Sequence, residues 1–243
     1  MRIQVMSDLH LELHADGGAA LVEALDPTGV DVLVLAGDVA VGEELPAALG
    51  RLCRRYPAAE IVYVHGNHEH YGQSPRATER RTREVERRHP NLHWLERRAV
   101  TLGGQRFLGA TLWFPHDAAA DPRRGDMSDF TEIRGFEPWV YEVNASTVGW
   151  LREQVQAGDV VVTHHLPTPR AIAPEYRGHA LNPFFVCDLD ALILAARPAL
   201  WCFGHTHRSF EALVGETLLV ANPFGYLGTA QNERFVARLL VEP

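Results

Sequence analysis

The chain of 243 residues has no lysine, few cysteines and no long apolar run. All 23 basic residues are arginines, which we interpret as a bias in composition without functional meaning. Three cysteines, an odd number without a CxxC pair, argue against a disulfide framework and a thiolate zinc site. No apolar stretch approaches the roughly 18 to 20 residues of a membrane-spanning helix, and the N-terminal run is too short for a signal peptide. We therefore expect a cytoplasmic protein without membrane contact.

The formal net charge of −8 disfavours long-range attraction to nucleic acid. The densest basic stretch, around Arg83 and Arg88, could be interpreted as a nucleic-acid patch. However, Glu79 and Glu84 precede these two arginines by four residues, which is the spacing of ion pairs on a helix surface. We interpret the stretch as a solvated helix face and expect no long nucleic acid as a partner.

Short apolar runs of strand character alternate with helical patterns. Strands are predicted at Ile3–Ser7, Val30–Ala36, Ile61–Val64, Phe107–Leu112, Val160–Thr163 and Leu200–Phe203. Helices are predicted at Ala19–Leu25, Glu43–Tyr56, Pro75–His89, Asn144–Gln156 and Val186–Ala196. This alternation indicates an α/β protein with parallel crossovers and with its function in the loops after the strands. Residues 98–113, 210–221 and 234–241 are typical of hairpins, so we predict a mixed sheet, or two sheets face to face, within a single domain of residues 1–243.

Residues 114–141 form an unusual stretch between predicted elements. They are rich in Asp, Pro, Gly and Arg, yet they include apolar side chains such as Met127, Phe130 and Trp139. Long irregular segments are uncommon unless they are functional. Two interpretations remain open: a surface loop held down by its own aromatic residues, or a lid or insert over the site.

Five polar blocks follow predicted strands, and they are Asp8-Leu9-His10, Gly37-Asp38, Gly66-Asn67-His68-Glu69, His164-His165 and Gly204-His205-Thr206-His207. Oxygen and nitrogen donors without sulfur suit borderline divalent ions. Two such ions, about 3.5 to 4 Å apart, can share a carboxylate. We expect alternate residues of an extended chain, such as Asp8 and His10, to point the same way. Glycines before Asp38, Asn67 and His205 are expected to permit tight turns.

The ordered series DxH, GD, GNHE, H and GHTH, from residue 8 to residue 207, resembles the calcineurin-like metallophosphoesterase superfamily. The stretches Met127–Phe130, Leu181–Pro183 and Asn222–Tyr226 are similar to a small bacterial branch of it. The resemblance implies a four-layer α/β/β/α sandwich with two mixed β-sheets. It also implies two divalent metal ions as cofactors, drawn from Mn²⁺, Fe²⁺, Ni²⁺, Co²⁺ and Zn²⁺.

The resemblance also implies a set of site residues. The metal ligands would be Asp8, His10 and His207 for the first ion, Asn67, His164 and His205 for the second, and Asp38 as the bridge. His68 would be the outer-sphere histidine near the leaving group. His165 is an alternative to its neighbour, but we favour His164 because it comes first after the strand. Substrate contacts are predicted at Asp129, Asn182, Phe184 and Tyr226.

The implied reaction is hydrolysis of a small phosphate ester by a hydroxide that bridges the ions. Asp38 and His68 would be the catalytic residues, with Glu69 or a neighbour orienting the His68 ring. We favour a phosphodiesterase acting on a small or nucleotide-like diester, because the GDxxDRG-type stretch of protein serine/threonine phosphatases is missing after Asp38. The alternatives are a phosphomonoesterase acting on a nucleotide or phosphoprotein, and a non-catalytic interaction scaffold. A third alternative, a nuclease, would require a basic groove, and the acidic net charge argues against it. The sequence predicts neither the native metal nor the oligomeric state.

Overall fold

Thirteen strands, six α-helices and six short 3-10 helices make up the computed structural model, which describes residues 1–243. The strands are β1 (Ile3–Met6), β2 (Val32–Ala36), β3 (Glu60–Val64), β4 (Leu92–Trp94), β5 (Arg98–Leu102), β6 (Gln105–Ala110), β7 (Val160–Thr163), β8 (Leu200–Phe203), β9 (Phe210–Val214), β10 (Thr217–Ala221), β11 (Gly225–Tyr226), β12 (Ala230–Gln231) and β13 (Leu240–Val241). The helices are α1 (Ala19–Ala24), α2 (Leu45–Arg55), α3 (Pro75–Arg88), α4 (Asp129–Glu132), α5 (Trp139–Gln154) and α6 (Asp190–Ala196).

Two large sheets organise these strands. The first has the order β13-β1-β2-β3-β4, and the second has the order β5-β6-β7-β8-β10-β9. In the first sheet only β13 is antiparallel to its neighbour. In the second sheet β6, β7, β8 and β10 are parallel, while β5 and β9 are antiparallel edge strands. Both sheets are therefore mixed, as the sequence predicted.

The central parallel strands are apolar on both faces, because each sheet is covered on both sides. In β2, Val32 and Val34 point between the two sheets, where they pack in one cluster with Val160 and Val162 of β7. The alternate residues of β2, such as Leu33, belong instead to the core under α1, α2 and α3. Helices α5 and α6 cover the outer face of the second sheet. The layers are therefore α/β/β/α, and the predicted fold class is confirmed.

Several predicted boundaries were wrong. Residues 234–241 do not form a hairpin, because only β13 is a strand there and it pairs with β1. Strand β4 was missed, since three residues are too short to show an alternating pattern. Helix α6 begins at Asp190 rather than Val186, which makes an isolated bridge to Leu166. Helix α5 begins at Trp139, earlier than the predicted start at Asn144.

The segment 114–141 packs around its own aromatic cluster. Its core residues are Phe114, Ala120, Met127, Ile133, Phe136 and Val140, together with Trp113 and Phe184 from outside the segment. No helix of the structure is both long enough and apolar enough to cross a membrane.

Candidate metal centre

The loops after β1, β2, β3, β7 and β8 bring the proposed ligands together, because the carboxyl ends of parallel strands share one edge of a sheet. The side chains that meet there are Asp8, His10, Asp38, Asn67, His164, His205 and His207. His207 is partly exposed, and the other six are buried. Residues far apart in the chain therefore form one buried polar cluster.

The first proposed ligand group contains Asp8, His10, Asp38 and His207, whose ligand atoms all lie within 4.8 Å of one another. Nε2 of His207 is 3.3 Å from Oδ1 of Asp8 and 3.2 Å from Nε2 of His10. Ligands about 2.1 Å from one ion are typically roughly 3 to 3.5 Å apart. The spacing of these atoms therefore fits a divalent cation.

The second group contains Asp38, His164 and His205, again within 4.8 Å. Oδ1 of Asn67 adjoins this group at 3.2 Å from Nε2 of His164. Oδ2 of Asp38 lies 3.4 Å from Nε2 of His164 and 3.7 Å from Nε2 of His10. One carboxylate oxygen thus faces a member of each group, as a bridging ligand would.

The chemical nature of the donor atoms, like their spacing, fits divalent cations. Nε2 of His205 is buried without any hydrogen-bond partner, although buried polar atoms are normally satisfied. A coordinated ion would satisfy this nitrogen. Carboxylate, imidazole and amide donors without sulfur suit the borderline divalent metals named above.

Five of the proposed ligands have a left-handed backbone: Asp8 (φ 53°), His10 (φ 43°), Asp38 (φ 54°), His205 (φ 66°) and His207 (φ 48°). The expectation that alternate residues such as Asp8 and His10 come from extended chain was therefore wrong. This conformation costs on the order of 1 kcal/mol for each non-glycine residue, and such strain clusters at functional sites. Local hydrogen bonds help to hold it: His10 N donates to the Asp38 carbonyl at 3.0 Å, and His205 N donates to Oδ1 of Asp8 at 3.0 Å.

Gly37, before Asp38, has a positive φ of 87°, which agrees with the predicted tight turn, whereas Gly66 and Gly204 provide space. A Cβ atom on Gly204 would lie 2.6 Å from Oδ2 of Asp8, and one on Gly66 would collide with Oδ1 of Asp38. Neither glycine has a positive φ angle. Any larger residue at these positions would push the two carboxylates out of the cluster.

Strong electrostatic coupling links the buried charges. Burial acts to raise the pKa of Asp38, but the charges of His164 and His68 outweigh it, so this pKa lies well below its ordinary value. Burial acts to lower the pKa of His164, but Asp38 and Asp8 raise it to about 10. Burial lowers the pKa of His205 well below its ordinary value, so this imidazole stays neutral and able to bind a metal.

His68 lies beside the first group, and its two ring nitrogens face different partners. Nε2 is 3.0 Å from the Tyr226 hydroxyl, and Nδ1 is 3.8 Å from Oε1 of Glu12. Of the expected partners, Glu69 or a neighbour, Glu69 does not contact this ring. Glu69 accepts hydrogen bonds from three backbone N–H groups and from the Tyr63 hydroxyl, so it shapes the loops instead. Glu12 is the neighbouring carboxylate that faces His68.

His164 and His165 point in different directions. His164 belongs to the second group, and its Nδ1 lies 2.8 Å from the Ala36 carbonyl oxygen. His165 lies in neither group, and its ring packs against Trp113 with Nδ1 3.3 Å from the Thr111 carbonyl oxygen. This placement favours the register proposed from the sequence.

A cavity of about 420 Å³ opens beside the metal centre. Of the predicted substrate contacts, Asn182 and Tyr226 line it. Phe184 does not, because it is buried in the aromatic cluster, and Phe185 lies at the wall instead. Asp129 is also fully buried behind the wall. Sequence reasoning missed Glu12 and Tyr71, although Glu12 lies only two residues after the DxH block.

Residues 1–209 match the family profile described as calcineurin-like phosphoesterase. The chain belongs to the calcineurin-like phosphoesterase family. This family uses divalent metals, which agrees with the His and Asp groups of the site. A comparison with curated protein sequences found no significant match.

Solved structures share the fold of this calcineurin-like phosphoesterase. Phosphopantetheinyl hydrolase from Mycobacterium tuberculosis superposes with a TM-score of 0.72 at 19% identity, over 92% of this chain and 89% of that one. A protein from Thermus thermophilus superposes with a TM-score of 0.57 at 16% identity, over 91% and 88% of the two chains. At these identities the likeness shows the fold alone.

Proposed function

We propose that this protein is a dinuclear metal-dependent phosphodiesterase that hydrolyses a small or nucleotide-like diester in the cytoplasm. The observation that carries the proposal is the position of the Asp38 carboxylate, with Oδ2 3.4 Å from His164 in one group and 3.7 Å from His10 in the other. A shared carboxylate is what a hydrolytic two-metal site requires.

Two divalent ions, when bound, supply an activated water and neutralise the phosphoryl oxygens. The chain itself supplies the ligand framework and the acid. Asp38 holds the two ligand groups together, and its other oxygen accepts a hydrogen bond from the His68 backbone N–H at 2.9 Å. His68 protonates the leaving oxygen. Asp38 therefore links the ligand framework directly to the backbone of the proposed acid.

The charge of the cavity wall supports a diester over a monoester. Arg208 is the one arginine at the wall, and its guanidinium is 2.8 Å from Oε1 of Glu175. A phosphomonoester dianion would need one more positive charge than a diester monoanion does. With Arg208 already paired, the wall offers no free guanidinium for that extra charge.

The cavity also has room for an ester substituent, and its wall offers apolar surface to it. Its apolar residues include Met127, Leu166, Ile172, Leu181 and Phe185. Ligand cavities commonly combine such a wall with a few polar groups that fix orientation. The fold neighbour from Mycobacterium tuberculosis is named a phosphopantetheinyl hydrolase, so a pantetheine phosphodiester belongs among the substrates to test.

The test uses metal-stripped protein reloaded separately with Mn²⁺, Fe²⁺, Co²⁺, Ni²⁺ or Zn²⁺. Each form is assayed with bis-p-nitrophenyl phosphate, p-nitrophenyl phosphate, cyclic nucleotides and a pantetheine phosphodiester. We expect the diesters to be hydrolysed faster, and Asp38→Ala to lose both the paired site and the activity. Asp188→Ala, which alters an exposed aspartate, is the matched control.

Each alternative has its own outcome in this assay. A strong preference for p-nitrophenyl phosphate would indicate a phosphomonoesterase. No turnover with any metal and substrate would favour the interaction scaffold. An Asp38→Ala protein that keeps two bound ions and full activity would contradict the bridging role.

A further inference from the structure

Both ends of the Asn67 side-chain amide have defined partners. Nδ2 donates to Oδ1 of Asp129 at 2.8 Å and to the Tyr71 hydroxyl oxygen at 3.0 Å. The Tyr71 hydroxyl in turn donates to the same Asp129 oxygen at 2.7 Å. Both N–H bonds of the amide are therefore used away from the metal centre. The amide oxygen, Oδ1, faces His164 at 3.2 Å.

This arrangement leaves the amide one acceptable orientation. A flipped Asn67 would place its oxygen against Oδ1 of Asp129, which offers lone pairs and no proton to it. It would also aim N–H groups at the position where a cation is expected. Asp129 is completely buried, which makes the contact between the two oxygens costly.

We propose that Asp129 and Tyr71 are positioning residues that hold the Asn67 oxygen toward the second metal position. The inference rests on the two-metal site of the proposed function. It replaces the prediction that Asp129 contacts substrate, since Met127 and Ser128 line the cavity while Asp129 lies behind it. Partners of metal ligands commonly fix ligand orientation in this way.

The position of Asp129 in the chain makes the segment 114–141 part of the metal site. Asp129 is the first residue of α4. Around α4, Gly72 N donates to the Glu132 carbonyl at 2.9 Å, and Arg134 N donates to the Gln73 carbonyl at 2.8 Å. These backbone bonds dock the segment onto the loop that follows Asn67. The second metal position is therefore complete only when this segment is in place.

The second carboxylate oxygen of Asp129 also supports a positioning role. Oδ2 of Asp129 is buried without a hydrogen-bond partner, which is unfavourable for a carboxylate. Asp129 is therefore poorly explained by stability alone. Its contribution to the orientation of Asn67 accounts for a carboxylate at this position.

The experiment measures Mn²⁺ binding by calorimetry and by electron paramagnetic resonance, without substrate. In Asp129→Leu we expect one of the two ions to bind about 10 to 100-fold more weakly, the usual effect of removing the partner of a metal ligand. Tyr71→Phe should act in the same direction with a smaller effect. Asp129→Asn can still accept through its amide oxygen and should retain most of the affinity. Glu132→Gln, which removes an exposed carboxylate from the same helix, is the control and should bind both ions as the wild type does.

A selective loss of one ion and of the spin-coupled pair signal, in a protein with an unchanged circular dichroism spectrum, supports the inference. Unchanged binding of both ions by Asp129→Leu overturns it, as does equal weakening of both ions in the folded variant. Wild-type protein that binds fewer than two ions overturns the proposed function together with this inference. Two ions in the wild type without any hydrolysis would contradict the proposed activity alone.

Discussion

The Tyr226 hydroxyl lies 3.0 Å from Nε2 of His68, although 158 positions separate the two residues in the chain. The tyrosine ring also packs against His10 and His207, with centroids 4.6 and 4.4 Å away. Tyr226 thus joins the proposed acid to the first ligand group. Both Tyr226 and His68 also line the cavity.

We predict that Tyr226→Phe lowers kcat by about tenfold for alkyl diesters, which is less than the roughly 10² to 10⁴ typical of a general acid itself, because the acid remains in place. The ring stays in place, so its packing on the histidines and the metal content should persist. Only the contact with Nε2 of His68 is lost. Steady-state kinetics with metal analysis check this, and unchanged kcat would show that the hydroxyl does not support the acid.

Replacement of His68 separates acid catalysis from metal chemistry. His68→Ala should lower kcat for an alkyl ester by about 10² to 10⁴, because the leaving alkoxide needs a proton. A p-nitrophenyl ester should lose far less, since its leaving group departs unprotonated. His116→Ala, an exposed histidine outside the site, is the control and should lose nothing. Equal losses on both esters would remove the acid role from His68.

Two glutamates near the site, the partly buried Glu12 and the buried Glu69, should respond differently to loss of charge. Glu12 faces His10 and His68, and although burial acts to raise its pKa, the contacts with these two imidazoles lower it to about 2. Glu12→Gln should therefore slow alkyl-ester hydrolysis more than p-nitrophenyl hydrolysis and leave Tm nearly unchanged.

Glu69→Gln should instead reduce stability. Burial first, and then Asp38, raise the pKa of Glu69 to about 7, and its oxygens accept bonds from the backbone of Asp38, Val39 and Gly66. Loss of such a buried acceptor costs about 1 to 3 kcal/mol, which corresponds to a fall in Tm of roughly 2 to 10 °C. Thermal unfolding of both variants measures the contrast. If Glu12→Gln instead has the lower Tm of the two variants and keeps the wild-type ratio of alkyl-ester to p-nitrophenyl-ester activity, the roles given to Glu12 and Glu69 are wrong.

Much of the fold could be predicted from the sequence because the central strands are buried on both faces. Runs such as Val160–Thr163 are almost entirely apolar and are buried at every position, which distinguishes them from amphipathic helices. Short strands and edge strands were harder to predict from the sequence. Strand β4 and the pairing of β13 with β1 depend on tertiary neighbours that no local pattern records.

The site was predictable as a set of residue types but not as geometry. The blocks around Asp8, Asp38 and His205 pointed to a two-metal site, yet their left-handed backbone is imposed by contacts between distant loops. Partners such as Asp129, which lies 62 positions after Asn67, have no signal near the ligand they contact. Ligand positioning is therefore a long-range property of this fold.

Metal binding should release a proton from His164. In the protein without metal, burial acts to lower this pKa, but Asp38 and Asp8 raise it to about 10, so the ring carries two protons at pH 7.5. Nδ1 is held at the Ala36 carbonyl, which leaves Nε2 to exchange its proton for an ion. We expect about one proton released at this site, and an affinity for metal that rises with pH up to about 10.

The raised pKa of His164 also determines how the stability of the metal-free protein changes with pH. The folded pKa lies above the unfolded value of about 6.5. The contribution of His164 to the stability of the metal-free protein is therefore fully present below that pH and is lost as pH rises toward 10. Calorimetry in buffers of different ionisation enthalpy counts the protons, and urea unfolding of the metal-free protein follows the stability. The His164→Asn variant should release one proton fewer, whereas proton release equal to that of the wild type would show that the proton comes from another group.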